Sequence, residues 1–310
     1  MVETRVLGDA GWGRYLQADP LPWLLEPANP SARYLTLRHV LNRPEDDSDV
    51  VEARAGILEA KPATAILAAQ WPAGYWVTPD RGYTPRYRAT VWQIMFLAQL
   101  GAPRSERIER ACEFVWQHSR RGNGLFTPHK RPRLDDLVNL NGNLLWALAQ
   151  FGHAGDPRIR EVLDALAALD LGRLFGASNV AAIVKLAKGL QALPDDLPPA
   201  LRSFPGDAAE FLAGHLPAEP DSQSPELAFP LAEETDLLEM LLVLGQMNAV
   251  VDSRVRSALS LVVSKQHQSG CWPLEAVPGK MWTSFGKLGQ SDKWVTVRAL
   301  QVLRASSGVT

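Results

Sequence analysis

Two adjacent carboxylates, Asp135 and Asp136, are the most direct candidates for chemistry in this sequence. Like charges so close push one pKa up, which keeps a proton available for general-acid work. The other reading is a pair that caps the helix after it. Three cations, Arg86, Arg88 and Lys293, stand just before apolar segments. There they can hold a phosphate or carboxylate, the arginines through bidentate hydrogen bonds. The competing reading pairs them with Glu233, Glu234, Asp236 and Asp292 of neighbouring loops. Trp92, Trp146 and Trp294 lie on or at the start of the same apolar segments, with Tyr83 and Tyr87 close by. Aromatic faces attract cations, and they also simply fill cores. The candidate ligand-binding set is therefore Arg86, Tyr87, Arg88, Trp92, Asn143, Trp146, Asp236, Lys293 and Trp294, with Asp135 and Asp136 as the catalytic pair.

Other reactive side chains fit poorly into a site. His129 stands in a loop as either a general base or a simply solvated side chain, and His118, His153, His215 and His267 fall at helix ends, where histidine meets the last carbonyls. The run Asp46-Asp47-Ser48-Asp49 resembles an acidic magnesium motif, but it also suits the positive end of a helix macrodipole. Cys112 and Cys271 form no CxxC pair, so neither a disulfide framework nor a zinc knuckle is expected. No phosphate loop, dinucleotide fingerprint or Ser-His-Asp phrase occurs. The expectation is no metal and no cofactor.

Bulk composition sets the remaining limits. The chain has 310 residues, 46% of them hydrophobic, and a formal charge of −2, so no basic field points to nucleic acid. The start, MVETRVLGDAGWGRYLQ, lacks the apolar core of a signal peptide, and no run is long enough to span a membrane. A cytoplasmic soluble protein of open oligomeric state is expected. Ten tryptophans are many for this length and suit either a core or a ligand cavity.

The elements that must position these residues follow a repeat. Pro20, Pro22, Pro27 and Pro30 bracket Trp23-Leu24-Leu25, which reads as an extended strap, and Ser31 is placed to cap a helix ending at Asn42-Arg43-Pro44. From residue 50 onward, an amphipathic helix, a Gly-x-bulky turn and a wholly apolar helix alternate. The first helix runs to Gln70; its partner covers Ala89–Leu100. Arg107–His118 pairs with Asn143–Phe151, Arg158–Leu169 with Asn179–Leu193, Asp207–Gly214 with Glu234–Leu244, and Arg254–Gln268 with Trp294–Arg304. The turns start at Gly74, Gly124, Gly172 and Gly270, at intervals of 50, 48 and 98 residues, so a missing one falls near Asp221. A two-helix unit of about fifty residues signals a helical array. Helices apolar all round belong inside and amphipathic ones outside, which favours an inner ring wrapped by an outer one.

The segment Gln266-His267-Gln268-Ser269-Gly270-Cys271-Trp272 resembles the Gln-to-Trp repeat of squalene and hopene cyclases, in which a Gln braces a Gly-x-Trp turn. Gln70 to Trp76 is a second copy and Gln117 to Phe126 a third. Residues 50–305 resemble the α/α toroid of the terpene cyclase and protein prenyltransferase superfamily. YTPRYRATVWQ, NGNLLWALAQFG and DKWVTVRALQVLR are similar to uncharacterised prokaryotic squalene-cyclase-like proteins. The resemblance implies an isoprenoid or other hydrophobic, prenyl-type small molecule as ligand. It departs from the cyclase acid motif Asp-x-Asp-Asp, since Arg133 stands where the first Asp belongs in Arg133-Leu134-Asp135-Asp136. It also lacks the zinc ligands of the prenyltransferases, and Ala177-Ser178-Asn179 offers none.

The expected architecture is all-α: a strap and helix over residues 1–49, then a single α/α toroid of about five helix pairs over 50–310. Parallel inner helices would gather their N-termini at one mouth, where exposed N–H groups and aligned dipoles favour an anion. Arg86, Arg88 and Lys293 are expected at that mouth. Two functions follow: an isoprenoid-handling enzyme or binding protein, or a non-catalytic module whose cavity is plugged by side chains such as Trp92, Met95 and Trp146 and whose outer surface or mouth binds a protein or small molecule.

Overall fold

Aromatic residues in the turns after the outer helices tie each outer helix to its inner partner by a recurring pair of hydrogen bonds. Trp76 donates its indole N–H to the Ile66 carbonyl (2.7 Å) and its backbone N–H to Thr90 Oγ1 (3.1 Å). Trp272 repeats this with Val262 (2.6 Å) and Thr296 Oγ1 (3.0 Å). Phe126 makes only the backbone bond, to Asn141 Oδ1 at 3.0 Å. Gly74, Gly124 and Gly270, at φ 94°, 84° and 78°, provide the left-handed residue each turn needs. Gln70 braces the first turn through the Gly74 carbonyl (3.2 Å). In the second, Gln117 turns to Glu113 instead, and Arg120 bonds the Gly124 carbonyl at 3.0 Å.

The computed structural model describes residues 11–176, 179–217, 226–247 and 253–307. Its helices are α1 (Leu21–Leu24), α2 (Pro30–Leu35, continued by a π-helical turn Thr36–Val40), α3 (Ser48–Gly56), α4 (Ala63–Ala68), α5 (Thr90–Gln99), α6 (Glu106–His118) and α7 (Leu134–Gln150). Then come α8 (Pro157–Ala167), α9 (Val180–Gln191), α10 (Phe204–Gly214), α11 (Leu237–Gln246), α12 (Ser253–Ser264) and α13 (Lys293–Ser307). Among the described residues there is no strand, and the fold is all-α.

Burial separates the two layers. Every residue of α5 from Thr90 to Ala98 is buried, whereas α6 buries one face through Ile108, Ala111, Cys112 and Val115. The inner helices α5, α7, α9, α11 and α13 pack in that order, and α13 goes on to contact α2 and its extension. Ser31 links the ends: its hydroxyl donates to the Leu100 carbonyl (2.8 Å) and accepts from the Trp294 indole (2.8 Å). Gly101, at φ 72°, lies so close to Tyr34 that a Cβ there would be 2.6 Å from the ring. The layers thus close into a single α/α toroid, and the early helix α2 fills the gap between α5 and α13.

Local details depart from the sequence reading. The first outer helix is broken: α3 ends at Gly56, a 3-10 turn spans Ile57–Glu59, and Pro62 separates these from α4. Helix α7 begins at Leu134 rather than Asn143, so Asp135 and Asp136 occupy its first turn. Asn29, not Ser31, caps α2, accepting from the Ala32 N–H at 3.0 Å. Trp23 and Leu24 sit in the short helix α1 instead of an extended strap. Gly172 belongs to a 3-10 helix over Leu171–Leu174 and makes no left-handed turn. The turn expected near Asp221, and Ala177-Ser178, lie outside the described residues.

Candidate functional site

Among the described residues, the inside of the ring holds two separate cavities. The segment between Leu227 and Asp236 runs into the interior and is held on several sides. Leu227 exchanges bonds with Glu275, donating to its carboxylate (2.7 Å) and accepting from its N–H (2.8 Å). Gln99 bonds both backbone groups of Leu231, each at 2.7 Å. Asn143 donates to the Ala232 carbonyl (3.2 Å) and Asn139 to that of Glu233 (2.8 Å). Phe229 stacks on Trp294 with centroids 5.2 Å apart. Polar side chains buried inside α5 and α7 would be costly unless bonded, and this segment provides their partners.

Above the segment, at the N-terminal ends of the inner helices, lies a pocket of about 210 Å³. It gathers Arg86, Trp92, Asp135, Asp136 and Asn143 with Tyr83, Glu233 and Glu234. The cation is already occupied: Arg86 Nη1 is 3.2 Å from Glu233, whose other oxygen accepts from the Tyr83 hydroxyl. Burial, then Glu233, raises the Tyr83 pKa, so it stays a donor. Asp136 accepts from the Arg133 N–H (3.1 Å) and Asp135 pairs with the Arg133 guanidinium (3.0 Å). Four carboxylates against one facing arginine repel an anion. Tyr87, at φ 64°, lies edge-on to Trp92 at 5.2 Å.

The other expected mouth residues point elsewhere. The Arg88 guanidinium stacks over Trp282 at 4.0 Å, and the Trp282 indole donates to the Arg88 carbonyl. Lys293 reaches back to the Trp23 carbonyl and to Glu26 (2.8 Å), fastening the N-terminal segment. Asp236 caps α11, accepting from the Glu239 N–H (2.8 Å), and forms a bidentate pair with Arg298 at 2.6 and 2.8 Å. Trp146 and Trp294 face the opposite cavity.

That second cavity, about 710 Å³, opens at the C-terminal ends of the inner helices, within the size range of small-molecule sites. Trp146, Phe229, Leu231, Leu242 and Trp294 form much of its apolar wall, and each inner helix adds one glutamine: Gln99, Gln150, Gln191, Gln246 and Gln301. Gln191 donates to the Val243 carbonyl (3.2 Å), while its buried Oε1 has no partner.

Its charge is set by a buried cluster. Glu239 lies between two lysines, with Lys185 Nζ at 2.5 Å from one oxygen and Lys188 Nζ at 3.0 Å from the other. Thr235 adds a hydroxyl at 2.9 Å. Burial alone would raise the Glu239 carboxyl, but the two ammonium groups outweigh it and hold it well below the usual range. Lys188 Nζ also sits 3.8 Å over the Trp146 ring. Burial is the largest influence on it; with Lys185 nearby it overcomes the attraction of Glu239, and the Lys188 pKa falls to about 8. Lys188 lies in the last turn of α9, where the dipole favours a cation. Arg298 and Asp236 neutralise each other, so Lys185, Lys188 and Glu239 together leave one positive charge in excess.

Sequence reasoning passed over Lys185, Lys188, Glu239 and Arg298. The signal was present: a charged residue inside an inner helix such as VAAIVKLAKGLQ or LLEMLLVLGQ must be paired or functional. Among the described residues, no group of His, Cys, Asp and Glu could hold a metal ion. No described helix is long and apolar enough to cross a membrane.

No protein-family model matches the chain, and no curated protein matches it. Among solved structures it is similar to the type II terpene cyclase MstE from Scytonema, at 15% identity and TM-score 0.48, over 91% of this chain and 89% of that one. A variant of MstE in complex with merosterolic acid A matches at 16% identity and TM-score 0.44, over 94% and 99%. A protein from Actinoplanes matches at 17% identity and TM-score 0.43, over 91% and 89%.

Proposed function

We propose that the protein binds an amphipathic anionic small molecule, with an isoprenoid or similar branched hydrocarbon body, in the C-terminal chamber. The observation that carries this is the single uncompensated positive charge of the Lys185–Glu239–Lys188 cluster, set beside the aromatic faces of Trp146, Phe229 and Trp294. Buried charge is costly unless it is paired. A carboxylate placed beside Lys188 would restore neutrality and gain a charge-assisted hydrogen bond. The aromatic faces of Trp146, Phe229 and Trp294 offer area for the hydrocarbon, and Gln150, Gln246 and Gln301 offer polar groups beside them. The acid pair Asp135 and Asp136 belongs to the other cavity, so the reading is of a binding protein first.

Isothermal calorimetry with farnesoic acid and farnesol tests this. The acid should bind more tightly than the alcohol, and Lys188→Met should remove the difference. Equal affinities in the wild type, or no binding of either, would overturn it.

A second reading, a non-catalytic scaffold, is favoured by the N-terminal half, where Trp92 and Met95, each 1% exposed, leave a pocket of only about 210 Å³. Binding of the acid would leave that reading without support.

A further inference from the structure

The geometry points to Lys188 as a nucleophilic amine that forms an imine with an aldehyde or ketone on an amphiphile held in the C-terminal chamber. This rests on the chamber being a ligand site, and it adds a covalent step that ion pairing does not need.

Three features support it. Lys188 Nζ lines the chamber, with its side chain 18% exposed, whereas Lys185 is fully enclosed. A second ammonium, Lys185, shares the carboxylate that Lys188 uses. A neighbouring cation and an apolar wall are the two devices that make a lysine nucleophilic near neutral pH. The amine is also held in place, since Glu239 Oε1 is 3.0 Å from Nζ.

The step balances without an oxidant or reductant. The Nζ lone pair of the neutral amine forms the C–N bond, and the carbonyl π pair moves to oxygen. One proton passes from nitrogen to that oxygen, giving the neutral carbinolamine. The second nitrogen proton passes to that hydroxyl, the C–O bond breaks and the oxygen departs as water. The nitrogen lone pair closes the C=N bond. One water is released for each imine formed.

The groups that set the proton affinity of Lys188 come from three helices. Lys185 lies on its own helix α9, Glu239 on α11, and Arg298 on α13 with Asp236 as its partner. Helix α7 presents the uncharged Trp146. With Lys188 lowered to about 8, its neutral fraction at pH 8 is about a hundred-fold above that of an ordinary lysine.

The test is reductive trapping of the whole protein with farnesal and cyanoborohydride at pH 8, read by peptide mass spectrometry. Lys188 should carry the farnesyl mass increment in preference to the exposed Lys61 and Lys130, by about ten-fold or more. Farnesoic acid should block the labelling, and Lys188→Arg should abolish it. Even labelling of all lysines, or preferential labelling of Lys185, would overturn the proposal. Protection of the wild type by farnesoic acid keeps the test decisive if Lys188→Arg fails to fold. If farnesoic acid and farnesal both raise the melting temperature but no adduct is trapped, the imine fails and the binding reading stands. If neither shifts it, both fall.

Discussion

Gln99 and Leu231 are joined by two hydrogen bonds of 2.7 Å, one in each direction, so that a side-chain amide on the first inner helix takes the place of a strand partner for a loop 132 residues away. The pair fixes the segment that separates the two cavities. Leu231 is 5% exposed, so neither of its backbone groups has ready access to water. The partition of the ring therefore depends on this one glutamine together with Asn139 and Asn143.

Gln99→Leu should strand both backbone groups of Leu231. An unsatisfied buried group costs about 1–3 kcal/mol, and a destabilisation of that order is expected in urea titration. Amide exchange should rise at Leu231 and Glu233 more than at Val91 or Ile94 of α5. Unchanged exchange at Leu231 would show that Asn139 and Asn143 suffice to hold the segment.

Lys188→Met should stabilise the unliganded protein, because it removes an excess buried charge while Lys185 and Thr235 still satisfy Glu239. The gain should be about 1–3 kcal/mol. Its pH dependence has a definite sign. The folded pKa, about 8, lies below the ordinary lysine value, so the unfolded chain binds the extra proton between the two. The native state is then disfavoured in full below pH 8, and the penalty fades as pH rises towards about 10.4. The advantage of the variant should shrink over that window. A constant advantage would mean that Lys188 is not the group responsible.

Much of this architecture was legible. The fully apolar TVWQIMFLAQL and the one-sided SERIERACEFVWQH carry their layer in their patterning, and the glycines after α5 and α7 mark where those helices stop. Helix α7 was read too short because Asn139, Asn141 and Asn143 are poor helix formers. Tertiary bonds to Glu233, Phe126 and Ala232 override that preference. Arg88 and Lys293 stand at inner-helix starts as expected, yet each turns outward to a partner from a distant segment, Trp282 or Glu26. Local sequence cannot show that choice. The central segment was missed although Leu227 to Ala232 are all apolar, because local sequence does not show which neighbours inside the ring receive them.

Asp292→Asn should change the pH profile of stability. Asp292 is 4% exposed and accepts from the Val295 N–H at 2.9 Å, capping α13. Burial raises its pKa to about 6, against the Val295 and Trp294 N–H groups and Arg298. The native state thus holds a proton that the unfolded chain has released. Asp292 adds stability in full below pH 3.8, the ordinary value, and that contribution is lost as pH rises through about 6. Asparagine keeps the cap and is neutral throughout. The variant should be more stable than the wild type above pH 6, by on the order of 1–3 kcal/mol, with the difference vanishing near pH 4. A parallel shift at all pH values would assign the effect to packing instead.

Gly142→Ala should be among the most damaging single-methyl changes in the chain. Helices α7 and α9 meet backbone to backbone: a Cβ on Gly142 would sit 2.4 Å from the Lys185 carbonyl, and one on Gly189 would sit 2.6 Å from the Gly142 carbonyl. No rotamer relieves a clash with main chain, so α9 must move. Overpacking of this kind costs about 1–3 kcal/mol or more. Because α9 carries both Lys185 and Lys188, the displacement should also disturb their shared contact with Glu239. A thermal melt should show the loss of stability, and calorimetry should show farnesoic acid binding weakened in any fraction that folds. Gly155→Ala, in open space between α7 and α8, is the control. Equal melting temperatures for the two variants would mean that the close approach of α7 and α9 is not needed to build the chamber.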